Sequence, residues 1–122
     1  MKIERFEDIE SWQKAREISI LIYAITRSGI FSKDFGLRDQ IQRSVVSIMS
    51  NIAEGFDSGT NKSFILFLNY AYRSASETQS LLYIALDCNY ITNNKFSEIY
   101  LMLQETKKLI GGFIKYLKNT NN

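Results

Sequence analysis

Histidine and proline are absent from this 122-residue chain, and cysteine occurs once, as Cys88. Without histidine there is no imidazole to act as general base, to activate a serine or cysteine, or to serve as the commonest metal ligand. Without proline, nothing forces a helix break through a missing N–H. One cysteine permits neither an intrachain disulfide nor a thiolate metal centre, and inside an apolar run Cys88 reads as a small buried hydrophobe. Long apolar runs are lacking too. None is longer than Ile20 to Ile25, far short of the roughly 20 residues that span a bilayer. The N-terminal residues Met1 to Asp8 alternate charges and contain no signal-peptide core, so the expected location is the cytoplasm, with no membrane partner. Neither Gly55 nor Gly59 is followed by the Gly-Lys-Ser/Thr of a phosphate loop. Glu54 and Glu77 are too few for an all-carboxylate di-iron site, and the Glu-x-x-His pairs of ferritin-like bundles cannot exist here. The chain is expected to have no catalytic residue, no metal and no cofactor.

What is present is helical periodicity. The hydrophobic fraction of 45% and charged fraction of 23% suit an ordinary folded domain, and the length suits a single one covering residues 1–122. Leu37, Ile41, Val45, Ile48 and Ile52 step by three or four and stack on one helix face. The same reasoning predicts helices over about 8–27, 37–54, 62–88 and 93–118. Asp8 and Thr92 are the expected N-caps of the first and last, and Gly55 is expected to close the second through a left-handed residue. Asp57-Ser58-Gly59-Thr60-Asn61 is the clearest turn, and the tail Asn119–Asn122 is expected to fray. Short connectors between long helices favour antiparallel neighbours, so the expected fold is an all-α, up-down-up-down four-helix bundle.

Two helices carry more apolar surface than one core stripe needs. In the third, Leu66, Tyr70, Leu81 and Ile84 form a second stripe, with Arg73 and Glu77 in its middle, four apart and able to pair. In the first, Ile18, Leu21 and Ile25 miss the face defined by Trp12, Ala15, Ile22 and Tyr23. Such two-sided helices imply either a wide core or contact between copies of the chain. The second helix shows Gln40, Arg43, Ser47, Ser50, Asn51 and Glu54 on its outer face, small and polar enough for another helix to approach or for plain solvation.

Net charge is only +2, yet it is unevenly placed. Residues 92–122 hold five lysines against two glutamates, a surplus of three, and the rest of the chain sums to −1. Lys107, Lys108, Lys115 and Lys118 fall within about 100° of arc on the last helix, opposite Ile110, Phe113 and Leu117. That stripe is either a solvated face or a surface for phosphates, with Arg38 and Arg43 as weaker candidates. Tyr100 and Tyr116 are the aromatics expected to stack on bases, although no recognised RNA-binding signature is present. The consecutive Gly111-Gly112 costs helix stability, which implies either close packing of another backbone that offsets it or a bend of the helix there.

Several segments together resemble the bacterial four-helix-bundle proteins encoded in intervening sequences of 23S ribosomal RNA. They run from Phe6-Glu7-Asp8-Ile9-Glu10-Ser11-Trp12, through Gly36-Leu37-Arg38-Asp39-Gln40-Ile41 and Ser50-Asn51-Ile52-Ala53-Glu54-Gly55-Phe56, to Phe64-Ile65-Leu66-Phe67-Leu68-Asn69 and Asn89-Tyr90-Ile91. Two positions depart from the family pattern: Met49 stands where proline is common, and Arg73 where glycine is common. The resemblance implies a homopentameric bundle. It extends to the accessory variability protein of diversity-generating retroelements, a pentamer that binds nucleic acid and a reverse transcriptase. Two functional expectations follow. The first is a non-catalytic oligomer that binds RNA or DNA through basic surface residues. The alternative is a protein-interaction scaffold or accessory subunit, for example of a reverse transcriptase, without nucleic-acid binding of its own.

Overall fold

The computed structural model describes residues 2–120 as four helices, α1 (Glu10–Thr26), α2 (Phe35–Asp57), α3 (Asn61–Asp87) and α4 (Asn93–Lys118), with no strand among the described residues. They form the expected up-down-up-down bundle. Helix α1 packs on α2 and α4, and α3 packs on the same two, so α2 and α4 occupy opposite corners. The core is built from the predicted faces, including Ile22 of α1, Ile41, Val45, Ile48 and Ile52 of α2, Leu68, Ala71, Ala75 and Leu82 of α3, and Ile99, Leu103 and Ile110 of α4.

Helix ends differ from expectation in instructive ways. Asp8 does not cap α1. It belongs to a single 3-10 turn, Phe6–Asp8, where its carboxylate accepts the Glu4 and Arg5 backbone N–H groups, and α1 begins after the extended Ile9. Gly55 is not a left-handed terminus, because α2 continues past it to Asp57. The left-handed residues are Gly29, Gly59 and Asn89. Asn89 closes α3 as a Schellman motif: Tyr90 N–H donates to Ala85 C=O at 2.8 Å and Asn89 N–H to Leu86 C=O at 2.9 Å. Thr92 caps α4 as expected by accepting from Lys95 N–H, and Thr60 does the same for α3 through Ser63 N–H. Cys88, placed at the end of α3 instead of inside its apolar stripe, is exposed.

One carboxylate locks an end of the bundle. Asp34 Oδ1 accepts from Leu37 N–H and caps α2, while Asp34 Oδ2 accepts from the Tyr90 hydroxyl at 2.8 Å. That bond raises the Tyr90 phenol above its ordinary value, with desolvation and the Asp34 charge adding to the shift. At the other end Asn61 donates to the carbonyls of Leu117, in the last turn of α4, and of Thr120 beyond it. Asn121 and Asn122 lie outside the described residues.

Much of the surplus apolar surface turns out to be core. Ile18 is fully buried, and Leu21 and Ile25 pack against the core, so α1 has a broad stripe. Its one strongly exposed large aliphatic residue is Ile20.

Candidate nucleic-acid interface

Helix α4 divides its charges between two flanks. Lys108, Lys115 and Lys118 are exposed on the outward arc of α4 that adjoins the α3 side, away from Glu98 and Glu105. Both glutamates are engaged elsewhere: Glu105 binds Lys14 of α1 at 2.7 Å, and Glu98 binds Lys95 at 2.9 Å. The hydrogen bond that Lys14 donates to Glu105 raises the Lys14 ammonium above its ordinary value against a smaller lowering by burial. The three lysines therefore face solvent with no carboxylate partner among the described residues.

Lys107 behaves differently from its neighbours. Its Nζ donates to Gln79 Oε1 at 3.1 Å and sits 5.1 Å from the ring centre of Tyr72. Gln79 is buried and donates in turn to Gln104 Oε1 at 3.0 Å and to the Tyr100 carbonyl at 3.4 Å. This seam joins α3 to α4 and takes Lys107 out of the free basic set.

Beside the seam stands an aromatic group that the sequence reading missed. Tyr83 lies 4.9 Å from Phe96 and 5.7 Å from Tyr100, centre to centre, and Phe96 and Tyr100 stack at 5.4 Å. Tyr83 is 49% exposed and Tyr72 39%, whereas Tyr100 is partly covered. The neighbouring Tyr100 hydroxyl raises the Tyr83 phenol above its ordinary value, with desolvation adding to the shift. The signal was present in the spacing: Tyr72 and Tyr83 are eleven apart, about three helical turns, and share one stripe. Tyr116, the other aromatic expected to stack, is exposed on the flank of α4 away from the lysines, beside Phe113.

The weaker basic candidates do not join this surface. Arg38 is spent locally, on Asp39 at 3.0 Å, on the Ser32 carbonyl at 3.1 Å and over the Phe35 ring at 4.8 Å. Arg43 is exposed on α2, across the bundle from α4, in a shallow groove that also holds Asp39 and Glu54.

On α3 the outward stripe keeps Leu66, Tyr70, Arg73, Glu77 and Ile84, all exposed. Leu81 is a correction. It is 6% exposed and belongs to the core, because it is rotated about 60° from Leu66 and Ile84 toward α2. Arg73 and Glu77 form no ion pair; Arg73 lies 5.8 Å over the Tyr70 ring and Glu77 accepts from Gln40 of α2 at 3.4 Å. The small polar residues of α2 are partly consumed inside the chain: Ser47 bonds Ser74 at 2.9 Å and Ser44 bonds Thr78 at 2.8 Å.

A concavity of about 790 Å³ opens at the end where α4 finishes, lined by Ile9, Ser11, Phe56, Phe64, Phe113 and Tyr116 among others. Ser11 Oγ is the one buried side-chain polar atom without a hydrogen-bond partner among the described residues. The carbonyl four residues before it, that of Glu7, lies outside the helix and accepts from Gln13. No group of three or more Cys, Asp or Glu side chains able to hold a metal occurs among the described residues. No helix there is long and apolar enough to cross a membrane.

Comparison with known proteins agrees with this architecture. The family model of the 23S rRNA-intervening sequence protein matches residues 7–112. The chain belongs to this family. A crystal structure from Bacteroides thetaiotaomicron, of a protein with unknown function from the S23 ribosomal protein family, superposes with a TM-score of 0.79 at 29% identity, covering 86% of this chain and 95% of that one. Among curated proteins, none matches the sequence. Neither the intervening-sequence family nor this structural relative indicates catalysis.

Proposed function

We propose that this intervening-sequence family member is a non-catalytic, self-associating bundle that binds RNA or DNA through the basic flank of α4. The observation that carries the reading is the charge division of that helix: three lysines are unpaired on one flank while both glutamates are engaged elsewhere. Self-association multiplies such a flank around a ring, and the family resemblance supports a pentamer as the assembly. The exposed Leu66, Tyr70 and Ile84 on the outer face of α3 supply an apolar contact for it. The free Cys88 and a nucleic-acid partner both suit the cytoplasm.

Nucleic-acid affinity is expected to fall steeply with salt, and Lys108→Glu/Lys115→Glu/Lys118→Glu is expected to abolish the bound fraction at moderate salt. Each phosphate contact removed should lower the salt slope by about 0.7–0.9. A triple variant that binds a structured RNA as the parent does refutes the assignment. Tyr70→Glu and Ile84→Glu are expected to dissociate the oligomer in light scattering with helicity retained. An unchanged mass removes the outer face of α3 from the contact. A stable oligomer with no affinity for nucleic acid would instead favour a protein-binding scaffold.

A further inference from the structure

We propose that the α3–α4 flank takes unpaired nucleotides, with Tyr83 and Tyr72 as stacking faces and the α4 lysines as the phosphate track. This inference rests on the nucleic-acid reading and narrows it from any polyanion to single strands.

A protein that reads only a duplex backbone needs exposed cations and gains nothing from half-exposed aromatic rings beside them. Here the rings are present and held in place. Tyr83 is braced by Phe96 and Tyr100 at 4.9 and 5.7 Å, so it loses little freedom when a base covers it. Tyr72 is pinned by Lys107, which is itself fixed through Gln79. A base edging onto Tyr72 would therefore meet a ring and a cation together. Tyr72 and Tyr83 lie about 17 Å apart along α3 at 1.5 Å per residue, too far for one base to bridge and suitable for a strand running along the seam. Lys118 continues along α4 within about 20° of Lys107, and Lys108 and Lys115 stand on the adjoining outward face. Alternating flat apolar faces with cations along a groove is how single strands are held without sequence preference.

The test uses the full chain, a labelled oligouridylate of about twelve nucleotides and a blunt RNA duplex of the same length, read by fluorescence anisotropy at low salt. Tyr72→Leu/Tyr83→Leu is expected to weaken oligouridylate binding roughly 5- to 150-fold for each stack lost, and to leave the duplex affinity where it was. Tyr72→Phe/Tyr83→Phe, which keeps both rings, is expected to bind like the parent. A leucine variant that holds the oligouridylate unchanged, or that loses both probes equally with its helicity intact, overturns the stacking assignment. If the lysine variant alone loses both probes, the basic flank stands and the stacking fails. If the parent binds neither probe, the nucleic-acid reading fails and this inference with it. Photo-crosslinking of a 4-thiouridine oligomer to the unaltered protein gives a check independent of folding. Crosslinks at Tyr72 or Tyr83 support the inference, and crosslinks confined to other helices overturn it.

Discussion

Helix α3 faces two partners, and its two flanks are built on opposite principles. Toward α2 the seam is tight and closed. Gly55 lies where a Cβ would come within 2.8 Å of Phe64 Cδ1 and of Phe67 Cβ, and hydroxyls bridge the helices at Ser44–Thr78 and Ser47–Ser74. Toward α4 the seam is filled by long or planar side chains and open to solvent at Tyr72 and Tyr83. Glycine shows the contrast within one residue type. A Cβ at Gly111 or Gly112 of α4 would meet nothing within 4 Å. Small residues on α2 are a packing requirement of this chain, whereas those on α4 leave room that the single chain does not use.

Substitutions should separate the two flanks sharply. Gly55→Val forces a branched side chain into Phe64 and Phe67 and is expected to cost about 2–3 kcal/mol in denaturant unfolding. A near-neutral result would show that the α2–α3 seam can open, which would undo the contrast. Thr78→Val removes the buried partner of Ser44 and is expected to cost about 1 kcal/mol, a loss of several degrees in Tm. Gly111→Ala and Gly112→Ala are expected to go the other way, each stabilising by about 0.5–1 kcal/mol through helix propensity and a less free unfolded chain. If either alanine instead destabilises the protein or lowers its solution mass, another chain packs against that stretch of α4.

The smallest effect concerns the locked end. The Tyr90 phenol is raised in the fold by its bond to Asp34, so the bond's contribution is complete below the ordinary value of 10.0. It disappears as pH climbs through the raised folded value. Thermal melts from about pH 8 to about pH 11 should show the parent losing this increment while Tyr90→Phe, which never had it, declines less. Parallel curves would mean that the Asp34–Tyr90 bond contributes nothing in solution.

The four helices were legible because periodicity records burial, and each predicted stripe of α2 and α4 is the buried one. The ends were less legible. Gly55 has the composition of a helix stop, yet the approach of Phe64 and Phe67 from α3 requires glycine there for space rather than for a left-handed turn. Conversely, Asn89 adopts that left-handed conformation without glycine's help. The exposure of the second stripe of α3 was mostly legible, with Leu81 lost from it because a helical wheel cannot say how far a neighbouring helix wraps around its edge. On α4 the wheel grouped four lysines correctly by angle, but it could not see that Gln79 and Tyr72 on α3 hold one of them. It likewise gave no reason to separate Arg38 and Arg43 from the lysines, a separation that comes from α2 and α4 lying at opposite corners.

What the sequence determined by itself was therefore one-dimensional: which residues share a helix face, where polar breaks interrupt the helices, and which chemistries the missing histidines and paired cysteines exclude. Only the tertiary structure decided which cations remain free, which tyrosines stand beside them, and which glycine is there for space. Those properties depend on the neighbour that a side chain meets across a seam. A helical pattern specifies its own face and leaves that neighbour's distance to the packing.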